Sequence, residues 1–341
     1  MKTVLITGGA GFIAHHVIVY LLEKTNWNLI CLDRLDFSGN LNRLADVLIT
    51  VSPEVRQRVR IVWHDLKSEI SPLTAKMIGP HVNYVLHLAA GSHVDRSIEY
   101  PMEFVMDNVV GTGNLLQWAR SLSQLERLVY FSTDEIFGPA PANIKYQEYD
   151  RYNSTNPYSA SKAGGEELAV AFHNTYKMPI LVTHTMNVFG ERQHPEKFIP
   201  LCIRRIATGE KISIHANATK TKAGSRHYIH ASDVADGLYF LLTQPAEHLV
   251  GNGVCLCPKY NLVGPEEWDN YELAQYIAKI QNKSLHAEFV DFHSSRPGHD
   301  LRYALDGGRL QTLGWSPQQK VSERLHQVVT WFLSHPEWLK V

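Results

Sequence analysis

A single run of eight residues, TGGAGFIA at positions 7–14, constrains this chain more than any other part of it. It follows directly on a β-branched apolar segment, residues 3–7, and leads into an amphipathic stretch at 13–23. Gly9, Gly11 and Ala14 fit the spacing G-x-G-x-x-G/A, and Gly8 adds one more position without a side chain. Such a turn lets backbone N–H groups approach a pyrophosphate at a helix N-terminus, where the peptide dipoles favour negative charge. Strand, glycine turn and helix together predict a unit that binds a dinucleotide. A second strand, residues 29–33, ends about twenty residues on in Asp33, whose carboxylate is expected on the adenosine ribose hydroxyls. That carboxylate repels a 2′-phosphate and so favours NAD over NADP, whereas its neighbour Arg34 pulls the other way.

The same alternation continues through the first half. Apolar runs at 60–64, 84–88, 127–132 and 180–185 read as strands, and apolar residues recur at three- and four-residue spacing over 101–122 and 158–176. The pattern predicts an α/β fold, a doubly wound parallel sheet of the Rossmann type. Beyond about residue 187 Pro and Gly punctuate the chain, with two more helical patterns at 232–242 and 270–279. With 341 residues the chain exceeds one usual domain. The expected division is a Rossmann domain at 1–186, with 227–258 returning to it, and a smaller C-terminal substrate-capping domain formed mainly by 187–341.

Composition excludes several partners. The 33 basic and 34 acidic side chains nearly cancel, and no block of Lys or Arg is suited to a run of phosphates, so nucleic acid is not expected. There is no run of eighteen apolar residues and no secretory h-region at the N-terminus, which predicts a cytoplasmic protein without a membrane anchor. Cys31, Cys202, Cys255 and Cys257 form neither a C-x-x-C pair nor a metal-ligand cluster, so reduced thiols and no metal are expected. The 18 histidines are scattered. Adjacent His15 and His16 cannot share one helix face, and most histidines read as surface or hydrogen-bonded structural residues.

Tyr158 and Lys162 form a Y-x-x-x-K pair in the helical pattern at 158–176, after a strand that runs into Ser132 and Thr133. Four residues apart on a helix, phenol and ammonium lie on one face. The cation is then expected to stabilise a tyrosinate and lower a phenol whose reference value is about 10, producing a base for a sugar hydroxyl.

With these features the sequence resembles the extended short-chain dehydrogenase/reductase superfamily over nearly its whole length, and within it the dTDP-glucose 4,6-dehydratase family. STDEIFG at 132–138 is similar to that family's S-T-D-E-V-Y-G, HVDRSI at 93–98 to its segment beside the nicotinamide site, and RPGHDLRYALD at 296–306 to its R-P-G-H-D-x-R-Y-A-x-D. The resemblance implies an NAD-dependent dehydratase that turns a nucleotide-diphosphate hexose into its 4-keto-6-deoxy form. Thr133, Asp134, Glu135, Tyr158 and Lys162 are the implied catalytic residues. Once C4 is a ketone the C5 proton is acidic, and loss of water across C5–C6 needs a base at C5 and an acid at the C6 hydroxyl. Two carboxyl groups whose environments separate their titrations supply both. By resemblance Asp134 is the acid and Glu135 the base, whereas related 4-epimerases carry small residues at the pair and decarboxylases resemble T-S-E. A nucleotide-sugar epimerase or decarboxylase is therefore the nearest alternative, and a catalytically silent NAD-binding sensor the alternative of another class.

The expected cofactor-binding set comprises Gly8, Gly9, Gly11, Phe12, Ile13, Asp33, Asp65, Leu66, Ala89 and Ser132, together with Tyr158 and Lys162. For substrate, the resemblance points to His93, to Asn187 in MNVFG, to Lys197 in QHPEKFIP, and to Arg226, Asn270, Arg296 and His299. The sequence departs from the family at Ala14, Phe137 and Met186, and in reading SRHYIH where R-D-W is usual. A homodimer is also implied, the helices at 101–122 and 158–176 pairing with their copies in a four-helix bundle.

Overall fold

The computed structural model describes residues 1–36, 38–291 and 301–340. Seven parallel strands form the central sheet: β1 (Thr3–Thr7), β2 (Asn28–Asp33), β3 (Val59–Trp63), β4 (Tyr84–His87), β5 (Arg127–Thr133), β6 (Ile180–Thr185) and β7 (Lys259–Leu262). Their order is β7-β6-β5-β4-β1-β2-β3. The six strands read from the sequence lie within two residues of those bounds, because strands covered on both faces appear as nearly continuous apolar runs. The seventh, KYNL, escaped that reading: all four residues are buried, yet Lys259 and Asn261 are polar.

Helices cover both faces. Helix α1 (Phe12–Lys24) packs with α5 (Ala231–Thr243) over one face, around Val17, Leu21, Leu29, Leu238 and Leu241. Helices α2 (Gly111–Ala119) and α3 (Pro157–Tyr176) cover the other, around Leu115, Leu116, Leu128, Tyr130 and Ala169. A separate apolar core lies under α4 (Phe198–Thr208), α6 (Asn270–Ile280) and α7 (Val321–Ser334), beside the parallel pair Ile212–Ala216 and Ala287–Asp291. Two segments of the second half, α5 and β7, thus belong to the sheet-centred part. Among the described residues no helix is long and apolar enough to cross a membrane.

The single helix expected over 101–122 is interrupted. Residues Pro101–Val105 run into a π-helical turn, Met106–Val110, before α2 begins. The apolar period survives this interruption, so it left no sign in the sequence pattern. The π turn carries Asn108, whose side chain bonds both backbone groups of Gly91 and donates to Ser161 Oγ at 2.8 Å. His16 is a buried structural histidine whose Nε2 is 3.2 Å from the Glu191 carbonyl oxygen, whereas His15 differs from expectation: it is buried, and neither of its ring nitrogens has a hydrogen-bond partner among the described residues.

Helix α3 starts at a reciprocal capping box, Asn156 with Ser159, with Pro157 in the first turn. It lies close against the π turn because Gly165 has no side chain. A Cβ there would sit 2.3 Å from the Asn108 carbonyl oxygen and 2.5 Å from the Tyr130 hydroxyl. Gly165→Ala is therefore expected to destabilise the protein by about 1–3 kcal/mol, although helix propensity alone would favour alanine by about 1 kcal/mol. A urea midpoint that rises in the variant would show that the two helical segments can separate without loss.

Candidate active site

The chain reverses its direction of strand addition at β1, which has β2 on one side and β4 on the other. In open α/β sheets ligands bind outside the carboxyl ends of the strands at such a point. A cavity of about 410 Å³ opens there and is lined at one end by the glycine loop and at the other by Tyr158, Lys162 and the residues after β5.

At the first end the backbone is packed too tightly for side chains. Gly8 has φ +69°, and a Cβ on it would lie 2.9 Å from the backbone of Ala89 at the end of β4. A Cβ on Gly11 would lie 2.9 Å from the Gly8 carbonyl oxygen. Gly11 caps α1 without any side-chain hydrogen bond, so the first turn presents its N–H groups next to this loop. Phe12, Ile13 and Ala89 line the cavity with Gly8 and Gly11, whereas Gly9 does not. It packs instead against β2, where a Cβ would come within 2.5 Å of Cys31 Cβ. Asp33 is buried on the cavity wall and accepts hydrogen bonds from the N–H groups of Ala10 at 2.9 Å and Leu35 at 2.7 Å. Asp65 and Leu66 line the same end.

At the other end Ser132, Thr133, Asp134 and Glu135 follow one another out of β5 into a 3-10 turn, Asp134–Phe137, and all four line the cavity. Thr133 Oγ1 donates to Asp134 Oδ1 at 3.1 Å, and the second Asp134 oxygen has no hydrogen-bond partner among the described residues. Asn156 Nδ2 is 3.5 Å from Glu135 Oε2. Burial pushes both carboxyl groups up, Asp134 to about 6 and Glu135, which Asp134 also repels, to about 7; Arg226 opposes the shift in both. The pair therefore titrates near neutrality as one coupled unit.

Tyr158 and Lys162 face the same cavity from α3. Burial, with Glu135 next in weight, raises the Tyr158 phenol well above its ordinary value, against a hydrogen bond to Thr133. This reverses the expectation that Lys162 lowers it. Lys162 Nζ donates instead to the Phe131 carbonyl at 2.7 Å and lies 4.4 Å from the centre of the Tyr130 ring, and burial drops its own value to about 7. Opposing that drop is Glu166, one turn further along α3. Glu166 is wholly buried and accepts from Lys259 Nζ at 2.8 Å and from Tyr152, with His184 Nε2 at 3.1 Å. Burial alone would raise it; His184 and Lys259 hold it far below the usual carboxylate range. The sequence offered one signal for this residue, the continuation of the Tyr158 and Lys162 spacing by four more positions.

His93, Asn187 and Lys197 line the cavity, with His93 Nε2 3.8 Å from Glu196 Oε2. Arg226 and Asn270 do not line it. Arg226 donates to the carbonyls of Ser225 and Leu301, both at 2.7 Å, stacks 4.6 Å from the Tyr303 ring, and acts on the Asp134–Glu135 pair. Asn270 begins α6 and accepts from the Tyr228 hydroxyl at 2.8 Å. Arg296 and His299 lie outside the described residues.

The NAD dependent epimerase/dehydratase family matches residues 4–257. The chain belongs to that family. Its relatives include a dTDP-glucose 4,6-dehydratase of Escherichia coli, 32% identical over 98% of this chain and 94% of the relative. A trifunctional UDP-glucose 4,6-dehydratase/UDP-4-keto-6-deoxy-D-glucose 3,5-epimerase/UDP-4-keto-L-rhamnose-reductase of Arabidopsis thaliana is 33% identical, covering 99% of this chain and 48% of that protein. The crystal structure of a dTDP-glucose 4,6-dehydratase from Streptomyces venezuelae, solved with NAD bound, superposes with a TM-score of 0.85 over 99% of both chains at 32% identity.

Raised carboxyl values tie stability to pH. Asp134 and Glu135 bind protons more tightly folded than unfolded, so their contribution is complete below the unfolded values near 4 and is lost as pH rises through about 6 and 7. Asp134→Asn with Glu135→Gln removes both ionisations. The melting temperature of this double variant, relative to the unaltered protein, should be higher at pH 8 than at pH 5, by about 2–4 °C per kcal/mol. Equal differences at the two pH values would mean that the carboxyls titrate ordinarily.

Proposed function

We propose that this protein is an NAD-dependent nucleotide-sugar 4,6-dehydratase, converting a nucleoside-diphosphate hexose into the 4-keto-6-deoxy sugar nucleotide and water. The observation that carries the reading is the pair of adjacent carboxyls, Asp134 and Glu135, in the same cavity as Tyr158 and Lys162 and both titrating near neutrality. Exchange of a C4 configuration needs no such pair. The names of the Escherichia coli and Streptomyces relatives support dTDP-glucose as the substrate, and the Arabidopsis relative supports UDP-glucose.

The residues fit a dinucleotide. The loop at Gly8 and Gly11 leaves no room for a Cβ, α1 opens beside it without a side-chain cap, and Asp33 stands on the cavity wall at the end of β2. When bound, NAD would supply the hydride acceptor and donor and a positive charge. The chain's own groups handle protons and position. Tyr158 takes the proton of the C4 hydroxyl, and Thr133 holds the same oxygen. Lys162, on the same helix face and lining the same cavity, is assigned to holding the dinucleotide. After oxidation at C4, Glu135 removes the C5 proton and Asp134 protonates the departing C6 hydroxyl, which leaves as water. The two carboxyls titrate near neutrality as a coupled pair and share one proton between them. Either carboxyl can therefore hold it as the reaction proceeds.

His93, Asn187 and Lys197 are assigned to the sugar nucleotide, and so are Arg296 and His299. Arg226, behind the acid pair, is assigned to fixing its charge. The lobe built on α4, α6 and α7 is read as the part that receives the nucleotide. A second copy of the chain is read as the partner of the helical face formed by Pro101–Ala119 and α3, where Met102, Met106 and Tyr176 are exposed. The four free cysteines suit a reducing cytoplasm.

Isotope transfer tests the assignment. With dTDP-glucose or UDP-glucose carrying deuterium at C4, the product should carry that deuterium at C6, and a mixture of labelled and unlabelled substrate should give no crossed product. In D₂O the solvent label should enter C5. Mass spectrometry of the sugar fragment reads all three positions. Deuterium returned to C4 would instead establish an epimerase, and no movement of label would establish a silent binding protein.

A further inference from the structure

Arg34 directly follows Asp33, the position from which an arginine can grip the 2′-phosphate of NADP. In the folded chain that guanidinium is already bound on both of its donor edges. Its Nη1 and Nη2 form a two-pronged ion pair with Asp107 Oδ1 and Oδ2, at 2.5 and 2.9 Å, while its Nε and Nη2 both meet Asp36 Oδ2, at 2.7 and 2.6 Å. Asp65 Oδ1 is 3.7 Å from Nη1. Arg34, Asp36, Asp65 and Asp107 all line the adenosine end of the cavity beside Asp33. Of the other cations there, Lys67 lies 3.4 Å from Asp65, and Arg43 donates to the carbonyls of Ser38 and Arg192.

Asp107 reaches Arg34 from the π turn. A π turn inserts one extra residue into a helix and re-aims the side chains it carries. This one is fixed on its far side by Asn108, which clamps Gly91 and Ser161. The Asp107 side chain is only 12% exposed, so the ion pair is held where solvent screens it weakly. Bidentate arginine–carboxylate pairs are also the most directional of ion pairs, and a guanidinium so engaged cannot turn to a phosphate without breaking two charge-assisted hydrogen bonds.

We infer that Asp107 is a specificity-determining residue for the dinucleotide, withholding Arg34 from a 2′-phosphate and so making the adenosine end select NAD over NADP. This rests on the reading of the cavity as an NAD site. Without Asp107, Arg34 keeps its contact with Asp36, but its Nη1 donor loses its closest carboxylate and becomes available beside Asp33, where a 2′-phosphate would lie.

The test is a competition on the full-length protein. Purified enzyme is equilibrated with mixtures of NAD⁺ and NADP⁺, separated from free dinucleotide by gel filtration, and its bound dinucleotides are quantified by mass. The unaltered protein should retain NAD⁺. Asp107→Asn should raise the bound NADP⁺ to NAD⁺ ratio roughly tenfold or more, the size expected from freeing one charge-assisted hydrogen-bond donor. The gain should vanish when Arg34→Gln is added. Should Asp107→Asn fail to fold, Asp107→Ser provides the same comparison. An unchanged ratio overturns the inference, and so does an equal gain in the Arg34→Gln background, which would reduce the effect to one lost negative charge. An unaltered protein that holds neither dinucleotide overturns the NAD reading and this inference with it.

Discussion

The contact between the end of β1 and the end of β4 governs the arrangement of everything around it. Gly8 lies so close to Ala89 that no side chain fits between them, and the Thr7 hydroxyl accepts from the Ala89 N–H while bonding His87. This fixes the segment after β4, whose Gly91 is held on both backbone groups by Asn108. Asn108 in turn donates to Ser161, in the same helix as Tyr158 and Lys162. A continuous series of short contacts thus runs from the glycine loop to the helix that carries the proposed base. The two ends of the cavity hold their separation through packed backbone and the buried side chains of Thr7, Asn108 and Ser161, as orientation of a long ligand requires.

Desolvation is the first cause of the shift in each of the four groups at the Tyr158 end of the cavity, and there it acts in one sense. Asp134, Glu135, Tyr158 and Lys162 are all moved toward their neutral forms. Glu166 is the exception, because Lys259 and His184 overcome the same penalty by direct hydrogen bonding. The contrast separates two uses of buried charge. Glu166 is paired and fixed in its ionised state, whereas Asp134, Glu135 and Lys162 on the cavity wall titrate near neutrality.

Much of this was legible in the chain itself. The glycine run, Asp33 and the Tyr158–Lys162 spacing fall where the sequence reading put them, because each depends on local geometry: a turn without side chains, the end of a strand, one helix face. Features that depend on partners distant in sequence were not legible. KYNL does not look like a strand until Lys259 meets Glu166 and Asn261 meets His184 and the carbonyls of Tyr146 and Asp306. The π turn is hidden because its neighbours keep the helical apolar period. Gly9 satisfies the fingerprint, yet its bareness serves the packing of the loop against Cys31. Arg226 read only as a substrate contact, and its electrostatic effect on the carboxyl pair emerges from the fold.

The buried cluster around Glu166 also has a consequence for how the molecule comes into being. Helix α3 and strand β6 are complete by residue 185, but the ammonium that balances Glu166 belongs to Lys259 on the last strand of the sheet. Uncompensated buried charge costs roughly 3–5 kcal/mol, a large part of the stability of any domain. On the ribosome, then, the nascent N-terminal portion carries α3 with Glu166 beside His184 but without Lys259 until more than seventy further residues have emerged. Part of the second lobe, α4 and the strand Ile212–Ala216, is made in between, and the sheet closes only when the chain returns. The order of translation thereby couples completion of the charge cluster on α3 to the arrival of β7, the last strand of the sheet.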